Sequence, residues 1–105
     1  MHSPHRRLLK HLGSLYGSGM LLDRTGGQSY GAVAYEIDGY FDQVTRSGNG
    51  RIEGGATMLS RAFRAGPARI ALADGQIVDI VLDDPHDDAA VEITLSGRLP
   101  EFGDT

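Results

Sequence analysis

The stretch that decides the fold runs from Arg69 to Leu82 and reads Arg-Ile-Ala-Leu-Ala-Asp-Gly-Gln-Ile-Val-Asp-Ile-Val-Leu. Two runs rich in Ile and Val flank the pair Asp74-Gly75, and β-branched residues of this kind favour extended strands. Asp and Gly both tolerate the positive φ angles of a type I′ turn, whose twist matches that of the flanking strands. The stretch therefore predicts a β-hairpin with a type I′ turn at Asp74-Gly75.

Alternation with a period of two predicts further strands on either side of this hairpin. Between residues 29 and 45, the apolar side chains of Val33, Tyr35 and Ile37 alternate with small or acidic ones, which is typical of a half-buried antiparallel strand. Residues 89–96 alternate in the same way. The run Ser47-Gly48-Asn49-Gly50 consists of residues that accept positive φ angles, so it predicts a second hairpin turn.

Two helical segments are predicted outside these strands. Ser3-Pro4 provides an N-cap and a first helical residue, and leucines at positions 8, 12 and 15 then lie on one helical face. These features favour a short N-terminal helix that Gly17-Ser18-Gly19 would end, whereas a strand that begins near Leu12 is the alternative interpretation. A helical turn is also predicted from Thr57 to Phe63, ended by Gly66.

The order of these elements predicts one β-dominated domain over residues 1–105. Short strands separated by turn residues are typical of a small antiparallel β-barrel or sandwich, here of about six strands, with the N-terminal helix and the helical turn packed against it. Residues 1–7 and 98–105 are expected to form tails, the second of them anchored by Leu99 and Phe102. The 15 glycines suit a fold with many tight turns.

Composition excludes several classes of function. The net charge of −4 argues against a general polyanion binder, because such proteins carry a basic surface. The absence of cysteine excludes disulfides and thiolate metal sites and is compatible with a reducing cytoplasm, where we expect the protein to be located. No apolar run reaches the roughly 18 residues of a membrane span. Lys10 and His11 interrupt the only candidate for a secretory signal.

An acidic loop is the only metal-binding candidate that the sequence offers. Carboxylates suit Ca²⁺ or Mg²⁺, and an imidazole could add a transition metal. The loop lacks the spacing of an EF-hand, so a solvated hairpin loop is the favoured interpretation and no cofactor is expected. His86 would also be the only histidine in the folded body, since His2, His5 and His11 are assigned to the mobile terminus. The candidate ligands are Asp83, Asp84, His86, Asp87 and Asp88.

Two tyrosines and three arginines are the candidate binding residues. By strand parity Tyr30 and Tyr40 share the polar face of the strand over residues 29–45, where they could contact a partner. Arg61 and Arg64 lie three residues apart in the helical turn, with Arg69 just beyond, and such a cluster could hold a carboxylate or phosphate. The alternative is a solvated basic face.

The function that these observations favour is a binding or assembly module without catalytic activity. Its partner would be a protein or a second copy of the chain, because an exposed edge strand can pair between copies. A small-ligand or nucleotide-binding regulatory barrel that uses the same arginines is the alternative. An enzyme with His86 as base is a weaker interpretation, and nucleic-acid binding is disfavoured by the acidic balance.

Overall fold

A computed structural model describes residues 9–102. The strands all pair antiparallel and form a closed barrel in the order β1-β2-β3-β6-β5-β4, with β4 returning to β1. The prediction of a small six-stranded antiparallel fold is therefore confirmed. Of the two predicted architectures, barrel and sandwich, the protein has the barrel. The elements are β1 (Lys10–Asp23), β2 (Ser29–Phe41), β3 (Arg46–Glu53), α1 (Ala56–Ala65), β4 (Ala68–Ala71), β5 (Ile77–Leu82) and β6 (Ala90–Leu95).

The barrel interior is filled by the apolar residues that alternate along each strand. Val33, Tyr35 and Ile37 of β2 are buried, as the alternation predicted, and β6 contributes its own alternate residues to the same core. The intervening side chains of both strands are mostly exposed, which gives the barrel one apolar and one polar face. The period-two patterns in β2 and β6 thus predict correctly which side chains point into the barrel.

Helix α1 covers one end of the barrel. Leu59 and Ala62 are fully buried, and the helix ends at Gly66, which has a φ of 100° and whose amide donates to the Phe63 carbonyl. The predicted helical turn and its glycine stop are therefore confirmed. Its predicted start at Thr57 is wrong, because the N-cap is Gly55, which makes no side-chain capping hydrogen bond.

The chain after β6 covers the opposite end. Leu99 and Phe102 pack against the core as expected. The side chain of Gln76 holds this segment in place, because it donates to the Glu101 carbonyl (3.2 Å) and accepts from the Glu101 amide (2.7 Å). The Phe102 ring lies so close to Gly39 that a Cβ there would be 2.4 Å from ring atom Cε2.

The predicted N-terminal helix is wrong over the described residues, because β1 starts at Lys10 and continues through the glycines that were expected to end the helix. Residues 3–8 of that helix lie outside the described part of the chain. Gly17 and Gly19 make room for close neighbours: a Cβ on Gly17 would lie 2.7 Å from the Tyr35 hydroxyl, and one on Gly19 would lie 2.2 Å from the Ala71 carbonyl oxygen. Both glycines therefore lie in a strand whose neighbours approach too closely for a larger residue.

The hairpin at Asp74-Gly75 is confirmed, but its turn type is not I′. Only Gly75 has a positive φ, of 93°, and its amide donates to the Leu72 carbonyl at 3.0 Å. The Leu72 amide in turn donates to the Gln76 carbonyl, so the loop contains three residues and ends in a left-handed glycine. The Gln76 amide also donates to the Asp74 carboxylate, which holds the pKa of Asp74 below its ordinary value.

The hairpin predicted at residues 47–50 is wrong, because these residues lie inside β3. The turn between β2 and β3 lies at residues 42–45 instead, where the Asp42 carboxylate accepts from the amides of Val44 and Thr45. A Cβ on Gly50 would lie 2.0 Å from the Glu36 carbonyl oxygen. Glycine is needed here because two strands approach each other closely. The residue type alone does not show whether a glycine serves such an approach or a turn.

The type I′ turn of this barrel lies in the acidic loop between β5 and β6. His86 and Asp87 have φ angles of 50° and 64°, and the Asp88 amide donates to the Pro85 carbonyl at 2.8 Å. Histidine and aspartate tolerate the left-handed region better than most residues, but a non-glycine residue there still costs on the order of 1 kcal/mol.

Replacing both turn residues with the preferred pair, as His86→Asn with Asp87→Gly, is expected to stabilise the barrel by about 1 kcal/mol. Urea denaturation should show a higher midpoint with an unchanged slope. Asp88→Gly is the matched control, because Asp88 does not have a positive φ and gains nothing from glycine. An unchanged or lower midpoint in the double variant would contradict the assigned turn.

Candidate functional site

Strand β1 has a partner strand along only part of one side. It contains 14 residues and pairs with β2 almost throughout, whereas β4 contains four residues and pairs with β1 only from Met20 to Asp23. An antiparallel strand directs the N–H and C=O groups of alternate residues away from its partner. Among the described residues, no other hydrogen bond reaches the backbone of residues 10–18. We call the side of residues 10–19 that faces away from β2 the free edge.

The free edge is closed off from the core by a side chain of β2. Beyond Ala71 the chain enters the hairpin loop and no longer pairs with β1. Tyr35 spans the resulting gap, because its ring passes beneath Gly17 and its hydroxyl accepts a hydrogen bond from the Ala73 amide at 3.0 Å. Tyr35 is 6% exposed, so the core does not open to solvent at this position.

Apart from Lys10 at its start, the free edge carries none of the charges that usually protect an edge strand. No Asp, Glu, Lys, Arg or Pro occurs from residue 11 to residue 22, although 23% of the chain is charged. The outer surface of β2, β3 and β6 differs, because Glu36, Arg51 and Glu92 lie in one register row there. Edge strands in monomeric proteins are normally protected by charge, proline, bulges or shortness. From residue 11 to residue 19 of the free edge, the β-bulge at Leu12 is the only such device.

Exposed apolar side chains lie beside the free edge. Tyr16 is 68% exposed, and Met20 and Ile77 are 40% and 59% exposed. Met20 pairs with Ala71, and Ala71 pairs with Ile77, so these residues form one row across β1, β4 and β5. The uncharged surface therefore extends from the edge onto the neighbouring outer face.

A polar cluster lies near the beginning of β1, where the sequence interpretation placed a mobile terminus. The bulge at Leu12 turns His11 to the same outer face as Ser14, opposite Tyr40. The Ser14 hydroxyl donates to Asp38 Oδ1, and His11 Nε2 lies 3.1 Å from the same oxygen. The prediction that His86 is the only histidine in the folded body is therefore wrong.

This cluster contains Ser, His and Asp but lacks the order of a catalytic triad. In a triad, one imidazole nitrogen accepts from the serine while the other donates to the carboxylate. Here His11 Nε2 faces both Ser14 and Asp38, and its contact with the carboxylate oxygen requires it to carry the proton. It cannot then accept the Ser14 proton. The cluster attaches the start of β1 to β2.

The predicted binding residues do not form a single surface. The Arg61 guanidinium lies 5.6 Å from the centroid of the Tyr30 ring, so these two meet. Tyr30 is the extra residue of a bulge in β2 and packs partly against the core. Tyr40 lies towards the other end of β2, where its ring contacts His11 at 5.4 Å.

The other two arginines have acidic neighbours of their own. Arg69 Nε lies 2.8 Å from Asp79 Oδ1. Arg64 lines a surface pocket of about 330 Å³ together with Asp84 and Asp87. Because Arg61, Arg64 and Arg69 face different neighbours, they do not converge on one anion.

The acidic loop borders a surface pocket of about 920 Å³. Five carboxylates surround Arg51 in its lining, so the pocket opposes phosphate groups. Within residues 9–102, no three His, Asp or Glu side chains are close enough to hold one metal ion, so Asp83, Asp84, His86, Asp87 and Asp88 are not gathered as a ligand set. The five carboxylates of the pocket are those of Glu53, Asp83, Asp84, Asp88 and Glu92.

Sequence reasoning missed Ser14, Tyr16 and Ser18, the outward residues of the free edge. The sequence feature that could have indicated this edge is the long uncharged run from residue 11 to residue 22. Within the described part of the chain, no helix has the length and apolarity that a membrane crossing requires. Comparisons with protein-family models, curated proteins and solved structures gave no match. Functional inference therefore starts from the geometry of the barrel.

Proposed function

We propose that this domain is a non-catalytic assembly module that binds a protein partner by adding an extended segment of that partner to the free edge of β1. The observation that carries the proposal is the run of backbone from residue 10 to residue 18 that has a strand on one side only and no charged side chain after Lys10. Strand addition of this kind gains affinity from main-chain hydrogen bonds and specificity from alternate side chains.

The free edge is already ordered before a partner arrives. Its pairing with β2 continues across the whole segment, and the cluster of His11, Ser14 and Asp38 fixes its outer end. A partner segment therefore bears the cost of ordering only its own backbone, about 1–2 kcal/mol per residue. Exposed Tyr16 supplies an aromatic side chain of the type enriched at protein interfaces.

The alternative of a small-ligand or nucleotide-binding barrel has less support. It needs arginines that converge on a phosphate, and Arg69 is paired with Asp79 while Arg64 lies among carboxylates. The pocket of about 920 Å³ beside the acidic loop is lined by carboxylates. We accordingly propose no cofactor, and the cytoplasmic location expected from the cysteine-free sequence remains part of this proposal.

A photocrosslinking amino acid in place of Tyr16 tests the proposed function in the cells that naturally make the protein. We expect a crosslinked protein chain from position 16, because this side chain lies on the free edge and is 68% exposed. The same photocrosslinker at Thr94, an exposed position on the outer face of β6, should give little or no product. Mass spectrometry of the product identifies the partner and the segment that is attached.

The variant Ser18→Lys tests whether the crosslinked product at position 16 depends on pairing at the free edge. A lysine on an edge strand opposes pairing without entering the core, and Ser18 is exposed. We expect the position-16 product to decrease at least about tenfold, which corresponds to 1.4 kcal/mol of binding free energy. Equal products from positions 16 and 94, or a position-16 product that Ser18→Lys leaves unchanged, would refute the assembly module.

A further inference from the structure

The free edge has a regular segment with defined ends. The bulge at Leu12 interrupts β1 on one side, and β4 takes over the edge at Met20 on the other. Residues 13–19, between these two points, therefore form a regular stretch that pairs with β2 alone among the described strands. Its central residue is Tyr16, so an antiparallel copy of the same segment would pair along its full length only when both Tyr16 residues lie on the two-fold axis.

The segment is complementary to itself in this register. Side chains of paired residues lie on the same face of a sheet, and pairing about Tyr16 brings outer residues together with outer residues. Ser14 of one copy lies opposite Ser18 of the other, and Tyr16 opposite Tyr16. On the inner face, Leu15 lies opposite Gly17, so a large residue meets a small one. No two charges of like sign face each other, because residues 11–22 contain none.

From this edge geometry we infer that the partner is a second copy of this chain, bound through β1 in an antiparallel, two-fold symmetric pairing centred on Tyr16. The inference rests on the proposed function and specifies its partner. Pairing between identical segments produces a closed dimer, since each copy uses the same edge and leaves no second copy of that edge exposed. The shortness of residues 13–19 predicts a weak, concentration-dependent dimer, because small interfaces are generally transient.

Cysteine substitution tests the register directly, since the chain contains no cysteine of its own. Residues directly opposite in an antiparallel pair have Cα atoms about 4.5–5.5 Å apart, within the range that a disulfide spans. Under mild oxidation we expect Tyr16→Cys to form a covalent dimer at least about tenfold faster than Ser14→Cys alone or the outer-face control Thr94→Cys. A mixture of Ser14→Cys and Ser18→Cys should form the mixed dimer.

Sedimentation equilibrium supplies the test without crosslinking. The unmodified chain should approach twice its monomer mass as its concentration rises to about 1 mM. Tyr16→Lys places two ammonium groups opposite each other and should raise the dimer Kd at least about tenfold, whereas Tyr16→Phe should leave it nearly unchanged.

The outcomes separate this inference from the proposed function. A chain that stays monomeric at about 1 mM, while position 16 crosslinks to a different protein, overturns self-pairing and leaves the assembly module intact. A dimer whose Thr94→Cys variant oxidises as fast as Tyr16→Cys overturns the β1 interface. If, in addition, position 16 gives no photocrosslinked product, the proposed function fails as well.

Discussion

Gly50→Ala is expected to lower the free energy of unfolding by about 3 kcal/mol or more, the largest effect of any single methyl group that we predict. A Cβ at this position would lie 2.0 Å from the Glu36 carbonyl oxygen and 3.0 Å from the Ile37 Cα. Both atoms belong to the backbone of β2, so no side-chain rotation relieves the clash and the two strands must separate. Gly50 also pairs with Ile93, which places the disturbance in the buried core.

Thermal unfolding followed by circular dichroism measures this effect. For a domain of this size each kcal/mol shifts Tm by roughly 4–8 °C, so Gly50→Ala should lower Tm by more than about 10 °C. Asn49→Ala is the matched control, because Asn49 is the adjacent residue of β3 and is exposed. It should change stability by no more than about 0.5 kcal/mol. If Gly50→Ala melts with the unmodified chain, the close approach of β2 and β3 is wrong.

Gly39→Ala is expected to cost about 2 kcal/mol, and to cost much less once Phe102 has been removed. A Cβ on Gly39 would lie 2.4 Å from Cε2 and 2.6 Å from Cζ of the Phe102 ring. The ring belongs to the chain end that closes the barrel, so it can be displaced, and the added methyl group would expel it. Phe102→Ala loses the same packing and is also expected to cost about 2 kcal/mol.

A double-mutant cycle measures this coupling from the unfolding free energies of four proteins. Because both substitutions remove the same contact, Gly39→Ala with Phe102→Ala should be about as stable as Phe102→Ala alone. The expected coupling is about 1–2 kcal/mol. Gly39→Ala combined with Leu59→Ala, in the helix at the opposite end of the barrel, should be additive. Additive costs for Gly39 and Phe102 would show that the ring does not rest on Gly39.

The candidate site was less accessible to sequence reasoning than the core was. Arg61 and Tyr30 were both selected from the sequence and do meet, yet they were selected for separate reasons. His11 was assigned to a mobile tail because a bulge cannot be read from residue type, and the bulge at Leu12 is what turns it towards Asp38. Tyr16 falls within the predicted N-terminal helix, so that prediction gives no sign that it lies on a strand edge.

What the sequence determined by itself was the local structure of β2, β4, β5, β6 and α1. Their patterns depend on neighbours along the chain: period-two alternation in β2 and β6, two apolar runs around Asp74-Gly75, and a glycine stop after α1. Such patterns are sufficient because each strand has one face in the core and one in water. They also predicted the barrel as one of two architectures.

Only the tertiary structure decided β1 and its free edge. Gly17 and Gly19 look like helix breakers until Tyr35 and Ala71 are placed against them, and both neighbours are distant in the sequence. The edge exists because β1 has 14 residues while β4, its neighbour on that side, has four. A mismatch in length between two strands is a property of their pairing, and neither strand carries it in its own residues.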